Sequence, residues 1–238
     1  MLSSRHRPER PRRMPRTEES IPTPQPDFGT GIYGFPLAAR LISRGRRVSV
    51  STLRYWLQTG LTPATFGRGP EGSSILSFHD VISLEVVRLF REANVSLQRV
   101  RLLETRLREL YPTLARPFAH EIFFTDGSAI WHQLHPGDRV VIEIVGRRPD
   151  QAAWKPIIKS FAKEIHYVQG RAAVWHPHPA VEINPRVQFG APVVRGTRVP
   201  LFTLKSELEI ASIEEVAAWH GLDKSLIKGV KNYLAKAA

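Results

Sequence analysis

The sequence predicts an α+β multidomain protein, and three observations carry that prediction. Two short helix patterns, joined by a basic turn and followed by a glycine-rich loop, predict an N-terminal winged helix-turn-helix unit. Strand-like runs with turn dipeptides and one helix predict a small middle α/β module. Three further helix patterns predict a C-terminal three-helix domain. We expect a basic arm over 1–27, followed by units over 28–112, 113–175 and 176–238.

Charge points to a polyanion as partner. The 238 residues carry 34 Lys and Arg against 22 Asp and Glu, a formal charge of +12, and the pI is near 10.5. Each phosphate neutralised by a protein cation releases counterions, so a strongly basic composition favours binding to DNA or RNA. The alternative is a solvated basic face on an ordinary protein. The sequence has no cysteine, which excludes disulfides, thiolate zinc sites and cysteine catalysis.

The first residues read as a disordered basic arm. The stretch from Met1 to Pro26 is rich in proline and lacks an apolar run of the kind that secretory signals need. No stretch of the chain approaches the ~18 apolar residues of a membrane span. We therefore expect a cytoplasmic protein with no membrane partner. The arm either adds phosphate contacts or remains a solvated tail; its arginines are Arg5, Arg7, Arg10, Arg12, Arg13 and Arg16.

The first two helices are predicted over Phe35–Ser43 and Ser49–Thr59, with the basic turn Arg44–Arg47 between them. In the second helix Ser49 is the expected N-cap, because its hydroxyl can accept from a free N–H of the first turn. Apolar residues at i, i+3 and i+4 predict one buried face, and Gly60 ends the helix. The buried positions are Leu53, Trp56 and Leu57.

This second helix has the division of faces that a DNA-reading helix needs. One side is held by a core, and the other is free to reach phosphates and base edges. From Phe28 to Pro70 the chain has six arginines and no Asp or Glu. The residues predicted to bind DNA are Arg44, Arg46, Arg47, Ser51, Thr52, Arg54, Tyr55 and Arg68.

Two longer helices follow a flexible, wing-like loop over Thr65–Ser74. One is predicted from Ser77 to Ala93. Asn94 and Val95 break it, and Ser96 caps the next helix, which runs to about Leu110. The apolar positions of that helix are consistent with a dimer seam or with a face packed on its own domain. They are Leu97, Val100, Leu103, Leu107 and Leu110.

The middle and C-terminal parts show alternating strand and helix signals. Strands are predicted over Glu121–Thr125, Ser128–Leu134 and Arg139–Val145, a helix over Trp154–Ile165, and a hairpin over Tyr167–Trp175 around Gln169–Gly170. The Pro-His run Trp175–Pro179 is interpreted as a linker. Beyond it, helices are predicted over about Leu201–Ile210, Ile213–His220 and Lys224–Ala235. Ser212–Glu215 is expected to form a capping box.

The stretch from Tyr33 to about Leu110 resembles the MerR-like winged-helix transcription regulators. This resemblance implies operator DNA as a ligand, with Ser51, Thr52, Arg54 and Tyr55 facing it. The chain departs from the family in two ways: its inter-helix turn is longer and arginine-rich, and its wing lacks the usual arginine and aromatic residue. The matching segments are Leu37–Leu41, Val48–Trp56, Gly60–Pro63, Phe78–Val81 and Asn94–Leu97.

The C-terminal part resembles a different family, a small VapB-like antitoxin domain marked by a Gly-Thr-Arg motif. The matching segments are Asn184–Pro185, Gly190–Pro192, Gly196–Pro200 and Ser212–Val216. The resemblance implies a PIN-domain ribonuclease toxin as partner, whose acidic site an arginine can pair bidentately. Arg195 and Arg198 are the candidate residues, with Arg186 behind them. The alternative is that Arg198 and Thr197 only hold the turn.

No motif indicates an enzyme or a cofactor. The histidine pairs His132/His135 and His176/His178 lack the spacing of a zinc site, and no nucleophile elbow or phosphate loop appears. We therefore expect an antitoxin of a type II toxin-antitoxin pair that neutralises a PIN-domain ribonuclease. It would also repress its own operon, as a homodimer or as a hetero-oligomer with the toxin. The alternative is an effector-sensing MerR-like regulator whose middle module binds a small ligand.

Overall fold

The computed structural model describes residues 31–44, 47–61, 75–114, 116–121, 123 and 154–236. These residues form a mixed α+β fold, as predicted, with eight helices and one four-stranded antiparallel sheet of order β1-β2-β3-β4. No helix among them is long and apolar enough to cross a membrane. The helices are α1 Phe35–Ile42, α2 Val50–Gln58, α3 Phe78–Glu92, α4 Leu97–Leu110, α5 Trp154–Ala162, α6 Leu201–Glu207, α7 Ile213–His220 and α8 Lys224–Lys236. The strands are β1 Ile165–Val168, β2 Arg171–His178, β3 Val181–Ile183 and β4 Val193–Val194.

The N-terminal helices begin where the sequence predicts. The Ser49 hydroxyl caps α2 by accepting from the Thr52 N–H at 3.0 Å. Leu53 and Trp56 are buried beneath α2, while Leu57 is partly buried. Ser77 caps α3 in a reciprocal capping box with Asp80, which satisfies two backbone donors that would otherwise lack partners.

Helix α4 packs on the chain's own core. Its N-cap is Ser96, as predicted, and Asn94 breaks the preceding helix with a left-handed φ of 61°. Val100, Leu103 and Leu107 are almost fully buried in the large core of the same chain. The apolar face of α4 is therefore buried by its own domain. A dimer seam, the other possibility that the sequence allows, is not needed to bury it.

The core of the helical part continues past residue 112. A 3₁₀ turn at Pro117–Ala119 brings Phe118 against Phe90 of α3, and Phe123 packs on both rings. Glu121 and Phe123 are helical, so the strand predicted over Glu121–Thr125 is wrong at its described residues. The strands predicted over Ser128–Leu134 and Arg139–Val145 lie outside the described residues.

The hairpin around Gln169–Gly170 is confirmed. Strand β1 pairs with β2 in antiparallel register, and both turn residues have positive φ, 50° and 74°. Tight two-residue hairpin turns need this backbone because its twist matches that of the flanking strands. The linker interpretation of Trp175–Pro179 is wrong, because β2 continues through His178 and pairs with β3. The expected unit boundary at residue 175 thus falls inside a strand.

Trp175 lies at the centre of the sheet and is fully buried. It stands opposite Ile165 of β1 and Ile183 of β3, and its ring meets Phe161 of α5 edge-on at a centroid distance of 5.8 Å. All of these residues belong to the same hydrophobic core as α1 to α4. The helical part and the hairpin are consequently one packed body rather than two modules.

The C-terminal part has a core of its own. It is built mainly by α6, α7 and α8 over β4, with Val181, Val194, Leu204, Val216 and Ile227 buried. The three predicted helices and the Ser212–Glu215 capping box are confirmed, and Gly221 ends α7 in the left-handed conformation. Strand β3 joins the two cores, because Val181 belongs to the C-terminal core and Ile183 to the large one.

Candidate nucleic-acid interface and partner-binding surface

The outer face of α2 is open to solvent. Arg54 is exposed, and the Tyr55 ring is 53% exposed. The Arg54 Cζ atom lies 5.6 Å from the centroid of the Phe35 ring, so the start of α1 supports its guanidinium by a cation–π contact. Ser51 is exposed and Thr52 partly so, and both hydroxyls lie within hydrogen-bond distance of the Ser49 cap. Four of the predicted DNA contacts are therefore on one accessible helix face.

The arginines of the turn before α2 divide between two environments. Arg47 is exposed. Arg44, which the sequence assigns to DNA, instead makes a two-pronged ion pair with Glu164 and also donates to the Pro177 carbonyl at 3.0 Å. This side chain is engaged by Glu164 and Pro177, so a DNA contact by Arg44 would have to compete with that ion pair. Arg46 and Arg68 lie outside the described residues.

A buried ion-pair cluster lies behind Arg44. Glu85 of α3 is fully buried and accepts two hydrogen bonds from Arg88, at 2.7 and 2.8 Å. The Arg44 Nη1 atom lies 4.0 Å from the same carboxylate. Burial raises the pKa of Glu85, and Arg88 and Arg44 oppose that rise. The cluster borders an open pocket of about 300 Å³ lined by Arg44, Glu85, Arg88, Leu89, Ser160, Phe161 and Glu164.

The C-terminal arginines lie on two turns that are tied together. Arg186, Arg195 and Arg198 are all exposed. The Glu182 carboxylate accepts from Asn184 Nδ2 at 3.2 Å, beside Arg186, and from the Gly196 N–H at 3.5 Å, beside Arg195. The Gln188 amide donates to the Arg198 carbonyl at 3.3 Å. These bonds connect the three predicted partner contacts on one loop surface.

Thr197, not the Arg198 side chain, holds the Gly-Thr-Arg turn. The Thr197 hydroxyl donates to the Val194 carbonyl at 2.9 Å and accepts from the Val199 N–H at 3.0 Å. Gly196 has a φ of 74°, which few other residues adopt without strain. The turn is thus closed by the threonine and the glycine, and the exposed guanidinium of Arg198 is left to project from it.

An exposed aromatic residue, Phe189, lies on the same loop surface as these arginines. Phe189 is 65% exposed, and both Gln188 and Phe189 have positive φ, 49° and 54°. Two consecutive non-glycine residues in this region carry backbone strain, which is characteristic of functional loops. The neighbouring Gly190 is in close contact with the Tyr33 hydroxyl, and the Ile32 N–H donates to the Phe189 carbonyl at 3.2 Å. No periodicity in the sequence marks this loop, so only the structure reveals it.

In the Pro-His run, His178 is held by contacts within the C-terminal part. The His178 Nδ1 atom accepts from the Ala180 N–H at 3.1 Å, and the His178 ring lies 6.2 Å from that of Tyr233. Over the described ranges, no three His, Asp or Glu side chains gather as metal ligands do. His132 and His135 lie outside those ranges.

Comparison with known proteins finds similarity to a solved structure. No protein-family model matches the chain, and no curated protein matches it in sequence. The crystal structure of Rv2018 from Mycobacterium tuberculosis superposes with a TM-score of 0.68, covering 83% of this chain and 96% of that one. The two chains share a fold. Their sequences are 21% identical, and the likeness is one of architecture alone.

Proposed function

We propose that this chain is a DNA-binding antitoxin of a type II toxin-antitoxin pair. In this proposal a winged helix-turn-helix of the MerR-like kind, with α2 as its reading helix, binds operator DNA and represses the operon. The VapB-like C-terminal domain binds a PIN-domain ribonuclease and blocks its carboxylate site. The protein works in the cytoplasm, as a homodimer or as a hetero-oligomer with the toxin, and has no enzymatic activity of its own.

The main support for DNA binding is the accessible face of α2. The helix is fixed from below by Leu53 and Trp56, while Arg54 and Tyr55 extend into solvent. A helix anchored on one side presents its other side in a defined orientation, which reading base edges in a major groove requires. Arg47 continues the positive charge to the turn before the helix. The net charge of +12 adds a long-range attraction to the duplex.

Replacing Arg54 by alanine is expected to weaken DNA binding about tenfold, since one charge-assisted contact contributes ~1–3 kcal/mol. The slope of log K against log salt should flatten by about one unit, because one phosphate contact is lost. Fluorescence anisotropy on the duplex upstream of the gene, at several salt concentrations, measures both quantities. Arg99→Ala, which removes the same charge from the exposed face of α4, is the matched control. Equal slopes for the two variants would count against α2 as the reading helix.

The main support for binding of a ribonuclease toxin is the loop surface with Arg186, Arg195 and Arg198. Their turns are held by Glu182, Gln188 and Thr197, so the backbone beneath the guanidiniums is fixed before a partner arrives. Preorganised cations lose little entropy when they meet a carboxylate cluster. Phe189 on the same loop adds an exposed apolar surface, of the kind that is enriched at the centres of interfaces.

Replacing Arg195 and Arg198 together by alanine is expected to lower toxin affinity at least about 30-fold, or ~2 kcal/mol, and to release metal-dependent RNA cleavage. The test is co-expression with the product of the adjacent gene, followed by sizing and an RNase assay. The matched control is Lys228→Ala with Lys231→Ala, which removes two charges from the exposed side of α8. A double variant that still neutralises the RNase as the control does would remove the arginines from the interface.

A second function is favoured by the open pocket of about 300 Å³ beside Arg44 and Glu164. Its volume is that of a small-molecule site, and Arg44 connects it to the turn that leads into α2. Under this alternative the chain is an effector-sensing regulator, and a ligand that competes for Arg44 alters DNA affinity. The co-expression experiment separates the two functions, because this regulator forms no complex with a ribonuclease.

A further inference from the structure

A second, smaller cavity lies where α3, the Pro117–Ala119 turn and the start of β2 meet. Its volume is about 50 Å³. This is room for a few waters or for a single tetrahedral oxyanion. Four of its six lining side chains carry nitrogen donors. The lining residues are His79, Leu114, Arg116, Ala119, His120 and Arg171.

The fold fixes the two histidines at this cavity. The His79 Nε2 atom lies 2.9 Å from the Ala172 carbonyl, and a carbonyl only accepts, so Nε2 carries the proton. The backbone of His120 forms an isolated antiparallel β-bridge with the backbone of Arg171, at the end of the hairpin. The His120 ring lies against Gly170. A Cβ at Gly170 would overlap that ring, so the turn glycine creates the space that His120 occupies.

Two guanidiniums, Arg116 and Arg171, and two carboxylates lie around the cavity. Arg116 donates to Asp80 at 2.6 Å, and the other Asp80 oxygen accepts from the Ser77 N–H at 2.8 Å, so this carboxylate is already engaged. The second nearby carboxylate is Glu121, whose charge raises the pKa of His120. Burial lowers the pKa of both His79 and His120, and the Arg171 guanidinium lowers both further.

We propose that this cavity binds one oxyanion group, a phosphate or sulfate, held by Arg171 and by His120 in its protonated form, with Arg116, which is ion-paired with Asp80, as a neighbouring cation. The Arg171 guanidinium supplies charge-assisted donors, which are the strongest ligands for tetrahedral oxyanions in proteins. The site is independent of the α2 face and of the C-terminal arginine turns. The occupant is either a phosphate of the DNA backbone or a free phosphate-bearing small molecule, and the same side chains serve both.

Anion binding is expected to be coupled to proton uptake. An oxyanion beside His120 favours the imidazolium, so its pKa rises on binding and the affinity increases as pH falls. Sulfate is the suitable probe, because it stays divalent throughout the range in which histidine titrates. Sulfate affinity should be several-fold higher near pH 5 than near pH 8, and it should approach about tenfold for each unit by which sulfate raises the pKa of His120.

Isothermal titration calorimetry with sodium sulfate, at an ionic strength held constant with chloride, measures the sulfate affinity at each pH. Arg171→Gln should weaken sulfate binding at least about tenfold at both pH values. His120→Gln should abolish the pH dependence and retain the binding seen near pH 8. Arg99→Gln, which removes one exposed charge from α4, should bind sulfate as the wild type does. Circular dichroism and the Tm check that each variant is folded.

The two sources of the oxyanion give different results with DNA. If a backbone phosphate is the occupant, Arg171→Gln flattens the salt dependence of DNA binding by about one unit. If a free molecule is the occupant, that slope stays at the wild-type value while sulfate affinity falls. Equal sulfate affinity in Arg171→Gln and Arg99→Gln would overturn the proposal, as would a wild-type affinity that is the same at both pH values.

Discussion

Replacing Trp175 by alanine is expected to lower the free energy of unfolding by about 3–5 kcal/mol, the usual cost of removing a large aromatic side chain from a packed core. Trp175 is fully buried, and it contacts Phe161 of α5 across the sheet. The indole N–H also donates to Glu164 at 3.0 Å, the carboxylate that holds Arg44. Alanine would therefore leave a cavity and remove one of the contacts that position this ion pair.

Trp175→Ala is also expected to separate the unfolding of the hairpin and the C-terminal domain from the unfolding of the N-terminal helices. Trp175 belongs to the core shared by α1 to α4, α5 and the β1–β2 hairpin. Without it, the hairpin and the C-terminal domain should unfold at a lower urea concentration than the N-terminal helices. Urea denaturation followed by far-UV circular dichroism should then show two transitions where the wild type shows a shared one.

Trp219→Ala is the matched control for this prediction, because it removes the same side chain from a surface position that is 57% exposed. Its expected cost is below about 0.5 kcal/mol, as for most surface substitutions. A Trp175→Ala protein with the stability of Trp219→Ala would mean that the sheet does not depend on this residue.

Elements with local signals could be predicted from the sequence. Ser49, Ser77 and Ser212 each precede an apolar periodic run, and each caps the helix expected there. Capping and the 3.6-residue period act within a few residues, so a single sequence contains them. The hairpin at Gln169–Gly170 was found for the same reason, because a two-residue turn with a glycine specifies its own backbone.

What depends on contacts between distant residues could not be predicted. Trp175–Pro179 reads as a linker because proline and histidine are poor strand formers, yet β2 extends through it. Pro177 is accommodated near the end of the strand, where the β2–β3 pairing is irregular. Tertiary packing of Trp175 overrides the local propensity here. The stretch therefore belongs to the sheet, and its composition gave no sign of that.

The sequence predicted only part of the candidate site. Arg44 shows why the environment of each arginine could not be predicted. On the sequence it is one arginine in a basic turn, indistinguishable from Arg47. The structure separates the two, because Glu164 lies 120 residues further along the chain and takes the Arg44 guanidinium. The exposed face of α2 followed from helix periodicity alone. The binding roles of Arg54 and Arg195 remain predictions.

Replacing Arg88 by methionine is expected to cost about 3–5 kcal/mol near neutral pH, because the fully buried Glu85 loses its main partner and must either stay charged alone or take up a proton. Arg88 makes both short hydrogen bonds to Glu85, and Arg44 is 4.0 Å away. Methionine fills a similar volume and carries no charge. The loss therefore measures the uncompensated carboxylate rather than a cavity.

The cost of Arg88→Met should depend on pH, and the direction follows from the pKa of Glu85. Burial already raises that pKa above 4.5, and loss of Arg88 removes the largest opposing influence, so the variant's folded-state pKa is higher still. The folded state then holds a proton that the unfolded state has released, and stability falls as pH rises through this window. Below the unfolded-state pKa both states are protonated, and the difference from wild type should be smallest.

Urea denaturation at about pH 5 and about pH 8 tests this, with stability differences taken at each pH from the same wild-type preparation. The matched control is Arg106→Met, which removes an arginine that pairs with Glu109 on the exposed side of α4. An exposed pair of this kind contributes at most ~1 kcal/mol, and its loss should vary little with pH. Equal costs for the two substitutions, or a cost for Arg88→Met that is larger at the lower pH, would show that Glu85 is not a buried charge that depends on Arg88. In that case water must reach the carboxylate through the open pocket beside Ser160 and Phe161, and Arg44 would be free to exchange between Glu164 and a ligand.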